Sequence, residues 1–223
     1  MKIIKNFVER DKTIIEYCKG KSVLHLGCVG FTDCPVAQKI ELAKESLHAS
    51  ISKVSKNCIG VDLDGDTVVE LTEHGVFDNL VEGDVEKLTE LELSGERFDL
   101  VVAGDIIEHL SNPGLMLEGM KGLMKPNGEL LVSTPNSFGV ASWIRMILGK
   151  FREGEQHVLC FNPITLMQLL DRHGYELTSA SSCYQARAEK NYGVMFKFLR
   201  AILKRIPRLG GTLLYVCKLS DSR

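Results

Sequence analysis

The sequence predicts a single α/β domain, 1–223, built on a doubly wound, mostly parallel sheet of seven strands. Short apolar segments that end in glycine or aspartate indicate the strands. Amphipathic segments of helix length separate most of these strands, an alternation typical of βαβ units with right-handed crossovers. A chain of 223 residues is also long enough for one substantial domain and short for two.

The N-terminal segment, 1–20, is predicted to be a helix because Ile3, Phe7 and Ile14 recur at helical spacing before Gly20 ends the pattern. Strands are then expected at Ser22–Gly27, Cys58–Asp62, Asn79–Gly83, Phe98–Gly104, Glu129–Thr134, Tyr175–Ala180 and Gly211–Cys217. Further helices are expected at Pro35–Lys56, Thr67–His74, Pro113–Met124, Pro163–His173 and Val194–Arg208. The strand segments are rich in valine, leucine and isoleucine, whereas prolines and glycines mark the ends of the helical segments.

The composition is that of an ordinary globular protein in a reducing compartment. The net charge of −2 gives no reason to expect a nucleic-acid partner. Seven cysteines, an odd number without a C-x-x-C pair, favour free thiols over a disulfide framework or a zinc site. The N-terminal segment has no apolar core of a signal peptide, and no stretch reaches the roughly 18 apolar residues of a membrane span. We therefore expect a soluble, cytoplasmic protein.

Three strand ends carry residues suited to a nucleoside. Ligands of open α/β sheets lie beyond the carboxyl ends of the strands. A glycine turn with Gly27 and Gly30 follows the first strand, Asp62 ends the second, where it can accept from ribose hydroxyls, and Asp84 follows the third, near an adenine amine. The turn GCVGFT lacks the third glycine of a dinucleotide site. An NAD-dependent, sugar-nucleotide type of enzyme is therefore the weaker alternative.

Six segments extend this pattern over most of the chain: VLHLGCVG, CIGVDLD, EGDVEKL, FDLVVAGDIIEHLSNPGLML, LMKPNGELLVSTPN and EQHVLCFNPITLMQLLDRHGYEL. They resemble the class I S-adenosylmethionine-dependent methyltransferases, and the last three are similar to the subgroup of ubiquinone-biosynthesis-type O-methyltransferases. The resemblance implies a Rossmann-like methyltransferase fold with helices on both faces and an antiparallel last strand. It also implies S-adenosylmethionine as cofactor and a small-molecule acceptor, with oxygen as the favoured methylated atom.

The resemblance also implies roles for individual residues. Gly27, Cys28 and Gly30 pass under the methionine part of the cofactor, and Asp62 holds the ribose. Leu63, Asp84 and Val85 contact the adenine. Gly104 and Asp105 lie near the amino group of the methionine part.

Two residues depart from the family pattern. His25 stands where relatives carry an acid that helps to hold the cofactor's ammonium group, and Val29 replaces a second glycine with a β-branched residue. A catalytically impaired cofactor-binding protein is therefore a second alternative. Cys28 is expected to pack, because no base accompanies it, and His48 is expected at the surface.

Candidate catalytic residues come from two segments. An in-line displacement at a sulfonium needs aligned reactants and exclusion of water, and a hydroxyl acceptor also needs a group that removes its proton. The segment D-I-I-E-H supplies Asp105, Glu108 and His109, and the later E-Q-H segment supplies His157. A divalent metal held by these groups, as in some O-methyltransferases with a similar segment, stays open alongside metal-free acid–base chemistry and a structural role. No residue is assigned as a metal ligand.

Two segments, 136–160 and 185–210, are expected to cover the acceptor side. Both mix apolar and basic residues, and such apolar faces usually pack against the sheet. The basic helix at 194–208 offers an alternative, peripheral contact with an anionic membrane surface. The sequence does not indicate an oligomeric state or the identity of the acceptor.

Overall fold

The structure, a computed structural model, describes residues 4–30, 34–91, 93, 95, 97–150, 154, 156–185 and 197–220. The strands are β1 (Asn6–Glu9), β2 (Ser22–Leu26), β3 (Asn57–Asp62), β4 (Leu80–Glu82), β5 (Phe98–Gly104), β6 (Met124–Pro135), β7 (Tyr175–Tyr184) and β8 (Thr212–Leu219). The α-helices are α1 (Arg10–Cys18), α2 (Val36–Lys44), α3 (Leu47–Val54), α4 (Gly65–Glu73), α5 (Pro113–Lys121), α6 (Val140–Ile147), α7 (Pro163–Arg172) and α8, helical over 197–205.

The strands form one sheet in the order β1-β7-β8-β6-β5-β2-β3-β4. The α/β class and the mostly parallel sheet are therefore confirmed, but the described residues hold eight strands instead of seven. The chain divides into two compact units, one made of 14–104 and 112–130, and the other of 1–13, 105–111 and 131–223.

The first unit contains β2 to β5 and the beginning of β6. Here β2 pairs in parallel with β3 on one side and with β5 on the other, and β4 continues the parallel order beyond β3. Val23, Leu24, Leu100, Val101 and Val102 are fully buried. Continuous apolar strands of this kind are typical of parallel sheets that are covered on both faces.

The second unit contains β1, the end of β6, β7 and β8. The antiparallel pair expected at the end of the chain is β7 with β8, and β1 pairs in parallel with the other side of β7. The strand predicted to stop at Ala180 continues to Tyr184 because its last residues bond to neighbours on both sides.

The predicted helix at 1–20 is wrong in its first half, where Asn6–Glu9 form β1. Pairing with β7 satisfies the main chain of this segment, and Phe7 is buried. The helix then begins at Arg10 because the carboxylate of Glu9 accepts from the main-chain N–H groups of Asp11 and Lys12, at 3.1 and 2.9 Å. A carboxylate at this position satisfies N–H groups that have no partner within the helix.

Other boundaries also differ from prediction. The segment expected as one helix at Pro35–Lys56 is two helices, because Ser46 interrupts it and caps α3 by accepting from Ala49 N at 3.1 Å. The helix expected to reach Met124 ends at Lys121, and β6 already begins at Met124. No helix among the described residues has the length and apolar content that crossing a membrane requires.

Candidate active site

The turn after β2 has the geometry for which glycine is suited. Gly27 has φ +65°, a left-handed conformation that costs other residues steric strain. Its N–H donates to Val61 O at 2.9 Å. Gly30 is exposed, and a Cβ placed on it would have no heavy atom within 4 Å, so packing within the protein does not require glycine there.

Asp62, at the end of β3, faces this turn. Its Oδ2 accepts from Val29 N at 2.7 Å and its Oδ1 from Asp64 N at 3.2 Å. Burial raises the pKa of Asp62, against the lowering effect of these hydrogen bonds. A carboxylate offers about four acceptor positions, so each oxygen keeps capacity for a ligand hydroxyl. The next side chain, Leu63, is 72% exposed.

Asp84 and Val85 follow β4. Gly83 N donates to Asp62 O at 2.8 Å, which ties the end of β4 to the end of β3. Asp84 begins a short 3₁₀ helix, Val85–Glu90, and accepts from Glu86 N at 2.9 Å, while Val85 is buried.

His25 and His48 form a buried pair. They are 3% and 1% exposed, and their Nδ1 atoms lie 3.2 Å apart. The expectation of a surface His48 is therefore wrong. The Nδ2 of Asn79 donates to Cys58 O, so its Oδ1 is the acceptor that faces His48 Nε2 at 3.3 Å. With the proton of His48 on Nε2, its Nδ1 accepts from the Nδ1–H of His25.

The environment of Cys28 supports the expected packing role. Burial, with the nearby charge of Asp62, raises the pKa of its thiol well above the ordinary value, which disfavours a thiolate nucleophile. A Cβ on Gly60 would lie 2.7 Å from both Cys28 Sγ and His48 Cε1. The glycine inside β3 thus makes room for these two side chains, a sequence signal that the pattern analysis did not use.

Asp105, which follows Gly104 at the end of β5, has φ +53°. Its Oδ1 accepts from Ser133 Oγ at 2.7 Å, and its Oδ2 pairs with a guanidinium nitrogen of Arg10 at 3.1 Å. Arg10 is 7% exposed and also donates to Ser133 Oγ. Burial opposes the charge of Arg10, but Asp105 and Asp11 outweigh it and raise its pKa.

Glu108 is the most deeply buried acid of the candidate set, at 1% exposure. Its Oε2 accepts from Thr134 Oγ1 at 2.9 Å, whereas its Oε1 is buried without a hydrogen-bond partner among the residues that the structure describes. Burial first, and then the charge of Asp105, raise its pKa to about 7. A carboxyl with this pKa can exchange a proton near neutral pH.

Two histidines lie beside the unpartnered oxygen. His157 Nε2 is 4.0 Å from Glu108 Oε1, and the rings of His109 and His157 meet edge to face with centroids 4.7 Å apart. His109 Nδ1 faces the carbonyl of Gln156 at 3.2 Å, so it carries the proton and leaves Nε2 as an acceptor. Burial and the neighbouring His157 lower the pKa of His109.

The main chain fixes the segment that carries His157. Val158 N and Leu159 N both donate to Glu108 O, at 3.0 and 3.1 Å. A cavity of about 50 Å³ adjoins Glu108 and His157 and is lined further by Arg145, Cys160 and Phe161. At roughly 30 Å³ per water molecule, this volume has room for a hydroxyl group.

The structure brings together three of the four predicted catalytic residues. Glu108, His109 and His157 each place one potential ligand atom within 4.8 Å of the others, a spacing that also suits a divalent metal. The carboxylate of Asp105 is instead engaged by Arg10 and Ser133, so the group offers one carboxylate and two imidazoles. Sequence analysis missed Arg10, Ser133 and Thr134, and only the position of the last two at the end of a buried strand hinted at a role.

Comparisons with known proteins identify the family. The model of a family described as "Methyltransferase domain" matches residues 9–180. The ubiquinone biosynthesis O-methyltransferase of Azorhizobium caulinodans is 30% identical over 130 residues, which cover 56% of this chain and 45% of that protein. A probable S-adenosylmethionine-dependent methyltransferase of Mycolicibacterium smegmatis is 28% identical over 161 residues, covering 72% and 54%. The chain thus spans about half the length of the curated relatives it matches.

Solved structures agree at the level of the fold. A SAM-dependent methyltransferase from Archaeoglobus fulgidus matches with a TM-score of 0.58 at 20% identity, covering 94% of this chain and 91% of that one. A methyltransferase structure from Bacillus halodurans matches with a TM-score of 0.61 at 13% identity, covering 95% and 99%. These findings confirm the fold and the expectation of S-adenosylmethionine as cofactor. The chain belongs to the methyltransferase domain family, within the class I S-adenosylmethionine-dependent methyltransferases.

Proposed function

We propose that the chain transfers the methyl group of S-adenosylmethionine to a hydroxyl oxygen of a small-molecule acceptor. The family supports the methyl transfer, and the names of several relatives, matched at 27 to 30% identity, support oxygen as the methylated atom. The single observation that carries the proposal for this chain is Glu108, whose buried Oε1 has no hydrogen-bond partner in the described part of the chain and lies 4.0 Å from His157 Nε2.

The cofactor is proposed to bind at the strand ends of the first unit. Gly27, Cys28 and Gly30 would pass under its methionine part, and Asp62 would accept from the ribose hydroxyls. His25, Leu63, Asp84, Val85 and Gly104 complete the proposed set in this unit. The exposure of Leu63 supports its assignment to the adenine face, because burial under a base would remove this apolar surface from water.

The proposed reaction is an in-line displacement. The acceptor oxygen forms a bond to the methyl carbon while the carbon–sulfur bond breaks. The electron pair of the broken bond stays on sulfur, which neutralises the sulfonium and gives S-adenosylhomocysteine. The acceptor's proton passes to Glu108 Oε1 or to the imidazole of His157. A base is useful here because it removes the proton as the oxygen acquires positive charge.

We favour metal-free proton transfer over metal assistance. The metal hypothesis drew on two carboxylates, and Asp105 is already engaged by Arg10 and Ser133. The remaining carboxylate already accepts from Thr134 through one oxygen. We also place the enzyme in the cytoplasm, where thiols stay reduced, because the seven cysteines are an odd number without a C-x-x-C pair.

An acceptor screen tests the proposal. Purified protein is incubated with S-adenosylmethionine and a panel of phenols, catechols, alcohols and amines, and S-adenosylhomocysteine is quantified. A new methoxy carbon in the product's NMR spectrum is expected with a hydroxyl acceptor. Methylation of amines alone would refute oxygen as the acceptor atom. Cofactor binding without turnover on any acceptor would favour the catalytically impaired protein, and calorimetric binding of NAD alone would favour the NAD-dependent, sugar-nucleotide type of enzyme.

A further inference from the structure

Helix α6 is apolar and yet exposed along most of its length. Trp143, Ile144, Ile147 and Leu148 are 47, 52, 76 and 63% exposed. None of the side chains between Val140 and Ile147 is buried. A helix of a globular protein normally buries an apolar stripe against the core, so this helix presents an apolar surface that the described part of the chain does not cover.

Helix α8 divides its apolar residues between two faces. Leu203 is 4% exposed and packs with Phe7 and Tyr184. Phe198 and Ile202, which are four residues apart and so share a face, are 71 and 39% exposed. The inward face of α8 is thus packed within the second unit, and its outward face exposes apolar side chains to water.

The two helices lie next to each other. Val140, at the start of α6, and Leu199, on α8, pack against the same cluster of Phe7, Tyr184 and Leu203. The Nδ2 of Asn136 also donates to Arg208 O at 3.2 Å and to Gly210 O at 2.8 Å. We call the outward side of residues 138–150 and 197–208 the α6/α8 surface.

The charge of the α6/α8 surface has one sign. Its two segments contain seven basic residues and no acidic ones, in a chain whose net charge is −2. The basic residues are Arg145, Lys150, Lys197, Arg200, Lys204, Arg205 and Arg208. Six of them are exposed, and Arg200 is half-buried over the ring of Tyr184.

We propose that the α6/α8 surface docks on an anionic lipid bilayer. Exposed aliphatic and tryptophan side chains bordered by lysine and arginine are the combination that enters the headgroup region while the cations contact acidic lipids. Two other partners fit this surface less well. A second copy of the chain, docked through the same surface, would place seven cations against seven. A nucleic acid would leave Ile147 and Leu148 without an apolar partner. The proposal does not depend on the identity of the reaction.

The single tryptophan of the chain provides a direct test. Trp143 fluorescence is followed while vesicles of phosphatidylcholine, with or without phosphatidylglycerol, are titrated into the full chain at low and at high salt. We expect a blue shift with the anionic vesicles, weakened by salt, and co-flotation of the protein with them. Brominated acyl chains should quench the emission, because the ring lies at the boundary between headgroups and acyl chains.

Matched variants separate the two contributions. Lys204→Gln with Arg205→Gln should weaken binding about 25-fold, at about fivefold per cation, and Ile147→Ser should remove the blue shift. Lys44→Gln and Leu115→Ser, exposed residues outside the α6/α8 surface, should change neither. All five substituted side chains are exposed, and circular dichroism checks that each variant is folded.

Three results would overturn the proposal. The first is equal affinity for neutral and anionic vesicles, and the second is loss of binding in the control variants. The third is a dimer in sedimentation that Ile147→Ser dissociates while vesicles leave Trp143 unchanged, since this would assign the surface to a second copy.

Discussion

Replacing Glu108 with glutamine distinguishes a catalytic carboxyl from a structural one, because the two roles change stability in opposite directions. Burial and the charge of Asp105 raise the pKa of Glu108 from 4.5 to about 7. The folded protein therefore holds this proton more tightly than the unfolded chain does. The stability that depends on this proton is fully present below about pH 4.5 and is lost as the pH rises through about 7.

The magnitude follows from the size of the pKa shift. At about 1.4 kcal/mol per pKa unit, ionising the buried Glu108 costs the folded state about 3 kcal/mol at pH 8. Glu108→Gln cannot ionise, and its amide oxygen can still accept from Thr134 Oγ1. We expect the variant to match the wild type in Tm near pH 4 and to exceed it at pH 8 by about 6 to 12 °C, at roughly 2–4 °C per kcal/mol for a chain of this size.

Activity should change in the other direction. Loss of a general base costs about 10²- to 10⁴-fold in turnover, so S-adenosylhomocysteine production should fall by that factor while the KM for S-adenosylmethionine stays within about twofold. The wild-type rate should rise with pH through about 7, and the variant should lack this rise. Glu118→Gln, on the exposed face of α5, serves as the control. A Glu108→Gln protein that is less stable at pH 8 and keeps its turnover would refute the reasoning.

Three further predictions concern the cofactor, the histidine pair and metals. Asp62→Asn should weaken S-adenosylmethionine binding about 10- to 100-fold in calorimetry, the value of one or two hydrogen bonds to a charged group, whereas the exposed Asp66→Asn should not. Burial lowers the pKa of His48, so the unfolded chain binds a proton more readily than the folded protein, and Tm should fall as the pH drops below about 6.5. His48→Leu should reduce this fall in Tm, and His74→Gln should leave it unchanged. Chelation with EDTA should leave turnover intact, and a gain on adding Mn²⁺ would instead assign the Glu108, His109 and His157 group as ligands.

Local patterns predicted the first unit well. The strands β2, β3 and β5 are continuous apolar runs, and their ends carry Gly27, Asp62 and Gly104, so hydrophobicity and turn chemistry are visible in one short window. The Asp62 contact with the glycine turn follows from parallel pairing, which brings consecutive strand ends together.

Features that depend on partners distant in sequence were not predictable from such windows. The segment Asn6–Glu9 forms a strand only because the far side of β7 offers it a partner about 175 residues later. Arg10 likewise lies 123 residues from Ser133, and nothing near it in sequence distinguishes it from a solvated helix residue. His48 was expected at the surface because the space beside Gly60 that accommodates it exists only in the folded sheet.

The segment that carries His157 is attached to the carbonyl of Glu108 through peptide N–H groups. These hydrogen bonds do not depend on the side chains at positions 158 and 159, because every amino acid except proline supplies the same N–H. Substitutions of these two side chains should therefore leave the imidazole of His157 and the carboxyl of Glu108 in place. The sequence of this segment can thus change without moving the two side chains that we propose as proton acceptors.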